Sequence, residues 1–485
     1  MKEMKGRDLI LPLPRPEYVP MPEGFLSSLA WKAYSVRKIP VAPEGQKLGL
    51  RYKFVGGPSA AKSVHFEETF PRGEVLAGLG KSLEEHGLEE TGNKSLLPEA
   101  VVNSVVGSSS PKSKSIPSSP LTPALALMQN PVGLTGKRNP PDLGNIIEVI
   151  YSLGKQGKPP QSAANLYSIA NRTRLTSDPI LAAINSAFID AVWGGEVAEA
   201  SVEATVIDSP ISALLVDSPF SWFAETWDKV TSDQWVLALP AKVWVDWSTS
   251  ILRTGFAMAY LWEASWYESL AREILSKNSV DAGFISRVTE SLDPAIVWRG
   301  SESTAEIRDL ASKLKWRCYR SVSVRNVLEG ALAKHPSKEL SISDLVASIR
   351  SDSDLSKQLQ SALNPNKQVT LDPADKLWEA IRYSLKTRDK GDHYGFLESS
   401  GRYLFANPGT EWGALMASMA ARGPGETTNL GEVAVFLNQS GTTTQPQELL
   451  ALLERTGLSR GSADADLALE VETAYRKGAA IEPVI

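Results

Sequence analysis

The stretch PAKVWVDWSTSILRTGFAMAYLWEASWYESLAREILS, residues 240–276, decides the fold class. Within it Trp244, Trp247, Ile251, Met258, Trp262, Trp266, Leu270 and Ile274 recur at steps of three, four or seven, which places them on one face of a long helix. Lys242, Asp246 and Arg253 interrupt the apolar run. A membrane span needs about 20 nearly uncharged residues, so this helix belongs in a protein interior and no contact with a membrane is expected.

Outward from this stretch, residues 143–400 keep a helical period, with helices expected over 145–153, 162–169, 179–192, 304–320, 343–350, 352–363 and 373–386. Asp372-Pro373 opens the last of these as N-cap and first turn. The short runs 204–207, 211–216 and 322–324 have β propensity. Toward the C-terminus, 411–421, 430–439 and 446–455 read as three short helices. Thr444 and Gln447 are spaced as a capping box and Gly457 as a C-cap. Residues 458–460 and 467–471 are then placed to pair across the loop 461–466. Three compact helices followed by such a ribbon outline a winged helix-turn-helix.

Residues 1–142 differ again, holding 17 of the 31 prolines. Residues 11–16 and 19–22 read as polyproline-like arms, and the Ser/Pro-rich run 104–123 as a solvated linker. One strand is expected within 48–55 and one short helix at 80–88. The expected architecture is therefore mainly α. It comprises a Pro/Ser-rich irregular N-terminal region (1–142), a Trp-rich helical core (143–400) and a winged-helix-like module (401–485).

The chain has 485 residues, 42 % apolar and 22 % charged, ample for a sizeable core. Its one cysteine, Cys318, excludes an intrachain disulfide and a Cys-based zinc site, and suits a reducing cytoplasm. The flanking Lys315, Arg317 and Arg320 could lower a thiol pKa, but a lone cysteine among apolar residues is more often a packing residue. Residues 1–8 are followed by no adequate apolar run, so no signal peptide is read. None of the four histidines (His65, His86, His335, His393) stands in an HD, HxH, HExxH or HxK setting. That removes the common histidine-metal hydrolases. Gly78-Leu79-Gly80-Lys81-Ser82 resembles the end of a phosphate loop, but Val75 occupies the place of its first glycine and no apolar strand precedes it. Gly457-Leu458-Ser459-Arg460-Gly461 matches a nucleophile elbow in letters only, because it follows a helix and leads into a turn. No cofactor or metal is expected from any motif.

Eight of the 13 tryptophans fall between Trp222 and Trp298. Residues 201–275 carry four Lys/Arg against ten Asp/Glu, which repels phosphate. Helical spacing with acidity points to a buried core, or to a protein interface in which Trp222, Trp227 and Trp235 are the candidates. The one basic cluster is Lys313, Lys315, Arg317, Arg320 and Arg325, with Trp316 and Tyr319 interleaved and no acidic residue between Leu310 and Leu328. It is the best candidate for nucleic-acid contact, against the simpler reading of a solvated helix face or one paired with acidic segments elsewhere. Residues 404–485 carry five Lys/Arg against ten Asp/Glu, so a winged helix here fits protein docking better than base reading.

The stretch Tyr403-Leu404-Phe405-Ala406-Asn407-Pro408-Gly409-Thr410-Glu411-Trp412 through Ala417, with Gly423-Pro424-Gly425 and Leu452-Leu453-Glu454-Arg455-Thr456-Gly457-Leu458, resembles the C-terminal part of accessory proteins of the bacterial methylation-associated anti-phage defence system. The resemblance covers about 75 residues and includes no catalytic motif. It implies a non-enzymatic adaptor subunit working beside a methyltransferase and other protein subunits of a defence complex in the cytoplasm. The alternatives are a DNA-binding component using the 313–325 cluster and, third, a cryptic nuclease with dispersed carboxylates.

Overall fold

A computed structural model describes residues 4–16, 22–36, 52–55, 63–67, 72–88, 96–105, 115–116, 119–127, 143–156, 161–193, 197–203, 205–207, 209–298, 304–335, 339–364, 372–387, 392–400, 403–459 and 467–476. The protein is mainly helical. Nine helices position the surfaces of interest: α1 (Pro22–Ala33), α2 (Leu143–Gly154), α3 (Pro219–Val230), α4 (Ala241–Leu275), α5 (Thr304–Ala333), α6 (Asp372–Leu385), α7 (Thr410–Ala420), α8 (Leu430–Gln439) and α9 (Pro446–Thr456).

Pro240 stands just before α4, where a fixed φ suits a helix start. The 35-residue helix then runs without a break. The expected apolar stripe is present, but α4 is buried well beyond it. Ser250, Thr254 and Glu268, on the side away from the stripe, are buried too, because α3, α5 and α6 pack around it together with α1 and α2. Two glycines set how closely the helices approach. A Cβ on Gly255 would stand 2.4 Å from the Phe223 ring, and one on Gly154 would stand 2.1 Å from the Phe220 carbonyl oxygen. These glycines bring α4 and α2 down onto α3.

Strands are few and short. β1 (Ile296–Trp298), β2 (Leu397–Ser400), β3 (Tyr403–Ala406), β4 (Thr428–Asn429), β5 (Thr442–Thr444) and β6 (Glu470–Val471) all lie in the second half. β2 and β3 form an antiparallel hairpin. β4 pairs antiparallel with β6, Asn429 opposite Glu470. β5 pairs in parallel with β1, Thr442 opposite Ile296. Through this pair, and through Trp247 against Tyr475 (5.6 Å between ring centres) and Trp222 against Phe436 (5.7 Å), the C-terminal elements share the core of the helical middle.

Several local expectations change. Residues 322–324 are not a strand but continue α5, which runs 30 residues instead of ending at 320. Pro210–Leu214 forms a 3-10 helix, its first residue being the proline that opens it. Residues 470–471 pair with 428–429 instead of 458–460, though Glu472 N still donates to the Leu458 carbonyl at 2.9 Å. The N-cap of α9 is Gln445, with Pro446 in the first turn, so the Thr444–Gln447 box does not form. Gly457 does end α9 in the left-handed region, with φ 73°.

The N-terminal region departs furthest from its composition. Residues 11–16 read in sequence as a polyproline-like arm, yet Leu9, Leu11 and Leu13 have no exposed surface, and Phe25, Leu26 and Leu29 of α1 are equally buried. Prolines exclude a helix here but leave every second side chain free to point inward. The described part also holds a strand Tyr34–Val36 paired with Val197–Glu199, a three-stranded sheet (Tyr52–Val55, Ser63–Glu67, Ser115–Ile116) and the helices Arg72–Glu85, Leu96–Val105 and Pro123–Leu127. Most of the expected linker at 104–123 lies outside the described residues.

Candidate functional site

The structure turns the cations of the basic cluster toward the chain's own acceptors. All five sit on α5. Lys315 stands 3.2 Å from Asp375 and 5.5 Å over the Tyr319 ring. Arg317 donates to the carbonyls of Pro294 (2.6 Å) and Ala295 (3.1 Å) and lies 3.4 Å from Asp293. Arg320 Nε donates to Glu268 at 2.6 Å. Arg325 donates to the Leu13 carbonyl (2.9 Å) and to Glu329 (2.7 Å), and is 3.6 Å from Glu263. Lys313 is exposed. Trp316 and Tyr319 meet edge to face at 5.4 Å rather than offering parallel platforms for bases. A cation that already faces a carboxylate has less uncompensated charge to offer a phosphate.

The candidate interface tryptophans are interior. Trp222, Trp227 and Trp235 are all buried, which fits the core reading of their helical spacing and corrects the alternative of a protein interface at these three. Trp227 donates to the Ala163 carbonyl at 3.1 Å, and Trp235 lies 5.7 Å from Trp247 between ring centres. Their large apolar area is more stabilising inside the core formed by α3 and α4 than at the surface.

Two surface features come from residues that no sequence motif joined. The first is an open cleft of about 480 Å³ lined by Thr387, Asp392, His393, Glu398, Ser399, Asn407, Pro408, Gly409, Thr410 and Arg455. It is held by backbone bonds from Trp412 N to the His393 carbonyl (3.1 Å) and from Gly409 N to the Gly395 carbonyl (3.0 Å). A Cβ at Gly409 would lie 2.0 Å from the His393 oxygen, so only glycine fits there. Its carboxylates already have partners. Asp392 accepts from Tyr394 N (3.2 Å) and stands 3.5 Å from Arg253, while Glu398 accepts from Asn407. The lining can hydrogen-bond a small polar molecule.

The second feature is a set of exposed aliphatic residues on and beside the outer face of α8. Gly431, Val435 and Gln439 follow one another at i, i+4 spacing, so they share that face. Leu467 lies over Gly431, whose N–H donates to the Leu467 carbonyl at 2.8 Å. Gln439 at the other end donates to Asp217 at 3.2 Å, and Val216 precedes Asp217 in a turn where Asp217 adopts φ 56°. Val216, Val435 and Leu467 are 50 %, 58 % and 52 % exposed. Asp217, Glu432 and Glu470 stand beside them, and no lysine or arginine occurs in α8. Only the four-residue spacing within α8 was visible in sequence, because Val216 and Leu467 arrive from distant segments.

Among the described residues no group of three or more His, Cys, Asp or Glu is arranged to hold a metal ion. No described helix is long and apolar enough to cross a membrane. The chain matches no known protein-family model and no curated protein.

Proposed function

We propose that the chain is a non-enzymatic adaptor subunit of a multi-protein prokaryotic anti-phage assembly, acting in the cytoplasm, and that its C-terminal part is a winged-helix-like module used to dock a protein. The exposed aliphatic set of Val216, Val435 and Leu467 with its acidic surround carries this reading. Exposed aliphatic residues side by side mark a contact surface, and the acidic rim selects a partner whose apolar patch is edged by lysine or arginine. The winged-helix description is supported by the order α7, β4, α8, β5, α9, β6 and by the pairing of β4 with β6, although β5 pairs with β1 outside the module. The defence setting is supported by the resemblance of residues 403–458. Contact with DNA through 313–325 has less support, since Arg317, Arg320 and Arg325 hold protein acceptors.

The test is affinity capture of the tagged chain from its host, with and without nuclease, beside a Val435→Asp/Leu467→Asp variant. Partners that survive nuclease and are lost with the variant, at an unchanged thermal midpoint, are expected. Capture abolished by nuclease, or indifferent to the two aspartates, overturns the proposal.

A further inference from the structure

Residues 4–16 lie against α4 and α5, and those helices hold them largely through side chains. The Leu9 carbonyl accepts from Trp266 Nε1 at 2.9 Å, the Leu13 carbonyl from Arg325 Nη1 at 2.9 Å, and the Pro14 carbonyl from the Tyr260 hydroxyl. The Leu11 amide donates to the Tyr267 hydroxyl oxygen at 3.2 Å. Leu9, Leu11 and Leu13 are buried while Pro12 is exposed and Ile10 and Pro14 are partly so, the alternation of an extended segment. Arg15 then donates to Glu263, a carboxylate with no exposed surface. Upstream, Lys5 bridges Ser341, the Gly6 amide donates to the Leu340 carbonyl at 2.8 Å, and Arg7 lies 3.0 Å from Glu339.

Fixed partners for carbonyls and amides, pockets for alternate side chains and a countercharge for one arginine are the means by which a protein groove recognises an extended peptide. We propose that the α4–α5 groove is a peptide-recognition site for a segment of the type Leu-x-Leu-x-Leu-Pro-Arg-Pro, and that it takes this segment from a second copy of the chain as well as from its own, giving a segment-exchanged dimer. Two features point to a second copy. The segment's polar partners come from α4, α5 and residues 339–341, so the same contacts form in trans without any new surface. Only residues 17–21, Pro20 among them, connect the segment to α1, and short connections favour exchange between copies. The carboxylate of Glu263 makes the groove selective. A permanent strap would be held as firmly by an apolar residue there without desolvating a charge, whereas a buried carboxylate discriminates for the arginine of this segment.

The test uses the full chain without substitution. Light and heavy isotopic forms are mixed, concentrated and cross-linked through lysines, and Lys5 in the segment is followed against Lys334 at the end of α5. Heavy–light Lys5–Lys334 cross-links are expected, and excess synthetic peptide of residues 4–16 should suppress them. The same peptide with Arg15→Glu should compete about tenfold less well or worse, as expected for loss of a charged hydrogen bond. Cross-links confined to one isotope at every concentration overturn the proposal. So does a dimer whose heavy–light cross-links omit Lys5, since the copies then meet elsewhere. Equal competition by the Arg15→Glu peptide overturns the selectivity assigned to Glu263.

Discussion

Arg320 holds the carboxylate of Glu268 at 2.6 Å, with the Glu268 side chain only 3 % exposed. Breaking a buried ion pair by removing one partner costs about 3–5 kcal/mol, and the partial exposure of Arg320 lowers this. Arg320→Met is therefore expected to destabilise the chain by about 2 kcal/mol in urea unfolding, while Lys313→Ala, on the same helix but exposed, stays within about 0.5 kcal/mol. Equal effects of the two changes would show that the cluster is not held by its carboxylates.

The helix contacts at Gly154 and Gly255 differ in what a methyl group would strike. An alanine in place of glycine within a helix ordinarily gains about 1 kcal/mol. At Gly255 the obstacle is the Phe223 side chain, whereas at Gly154 it is the Phe220 backbone, which yields less easily. Gly255→Ala is expected to cost about 1–3 kcal/mol and Gly154→Ala more than that. Chemical denaturation of both variants checks the order.

Cys318 is fully buried, and burial pushes its thiol up to about 12 against the pull of Arg15 and Arg317. The thiolate is the reactive form. The native chain is expected to leave a thiol reagent unconsumed at pH 8, and to consume one equivalent once denatured. Prompt labelling of the native chain would contradict this.

Lys229 ties α3 to the end of α7 by donating to the Met419 carbonyl at 2.8 Å and to that of Ala421. Burial lowers its ammonium from 10.5 to about 8, with Glu426 pulling partly the other way. Below pH 8 folded and unfolded chains both carry the proton, and its contribution is flat. Between pH 8 and 10.5 the unfolded chain binds more protons, so stability rises with pH in this window. Relative to a Lys229→Met variant, the wild-type thermal midpoint should gain as pH rises from 8 to 10. A flat or falling difference would refute the assignment.

The helices with a clean apolar period were legible before any coordinates. Residues 240–276 became α4 almost to the residue, and α8 and α9 were nearly as well placed. Residues 9–16 were not legible, because a proline-rich stretch has the same letters whether it is solvated or pressed into a groove. What decides is a set of partners more than 200 positions away, Tyr260, Trp266 and Arg325 among them. The same distance hid which partners 313–325 would find, although pairing with acidic segments elsewhere was one of its readings. A run without acidic residues is basic locally, yet Glu263, Glu268 and Asp375 meet it in space. The tryptophans showed the reverse case, since their helical spacing already favoured the interior, where Trp222, Trp227 and Trp235 are found. The cleft around His393 and the aliphatic set around Val435 draw on segments that no single period connects.

Leu13 and Arg325 are 312 positions apart. On a ribosome adding about 5–20 residues each second, roughly 15–60 s separate the synthesis of the two. Throughout that interval Leu9, Leu11 and Leu13 have no α5 to cover them. The order of synthesis thus leaves these three leucines unsecured until α5 has emerged, and the yield of the chain in the cell will depend on what shields them while they wait.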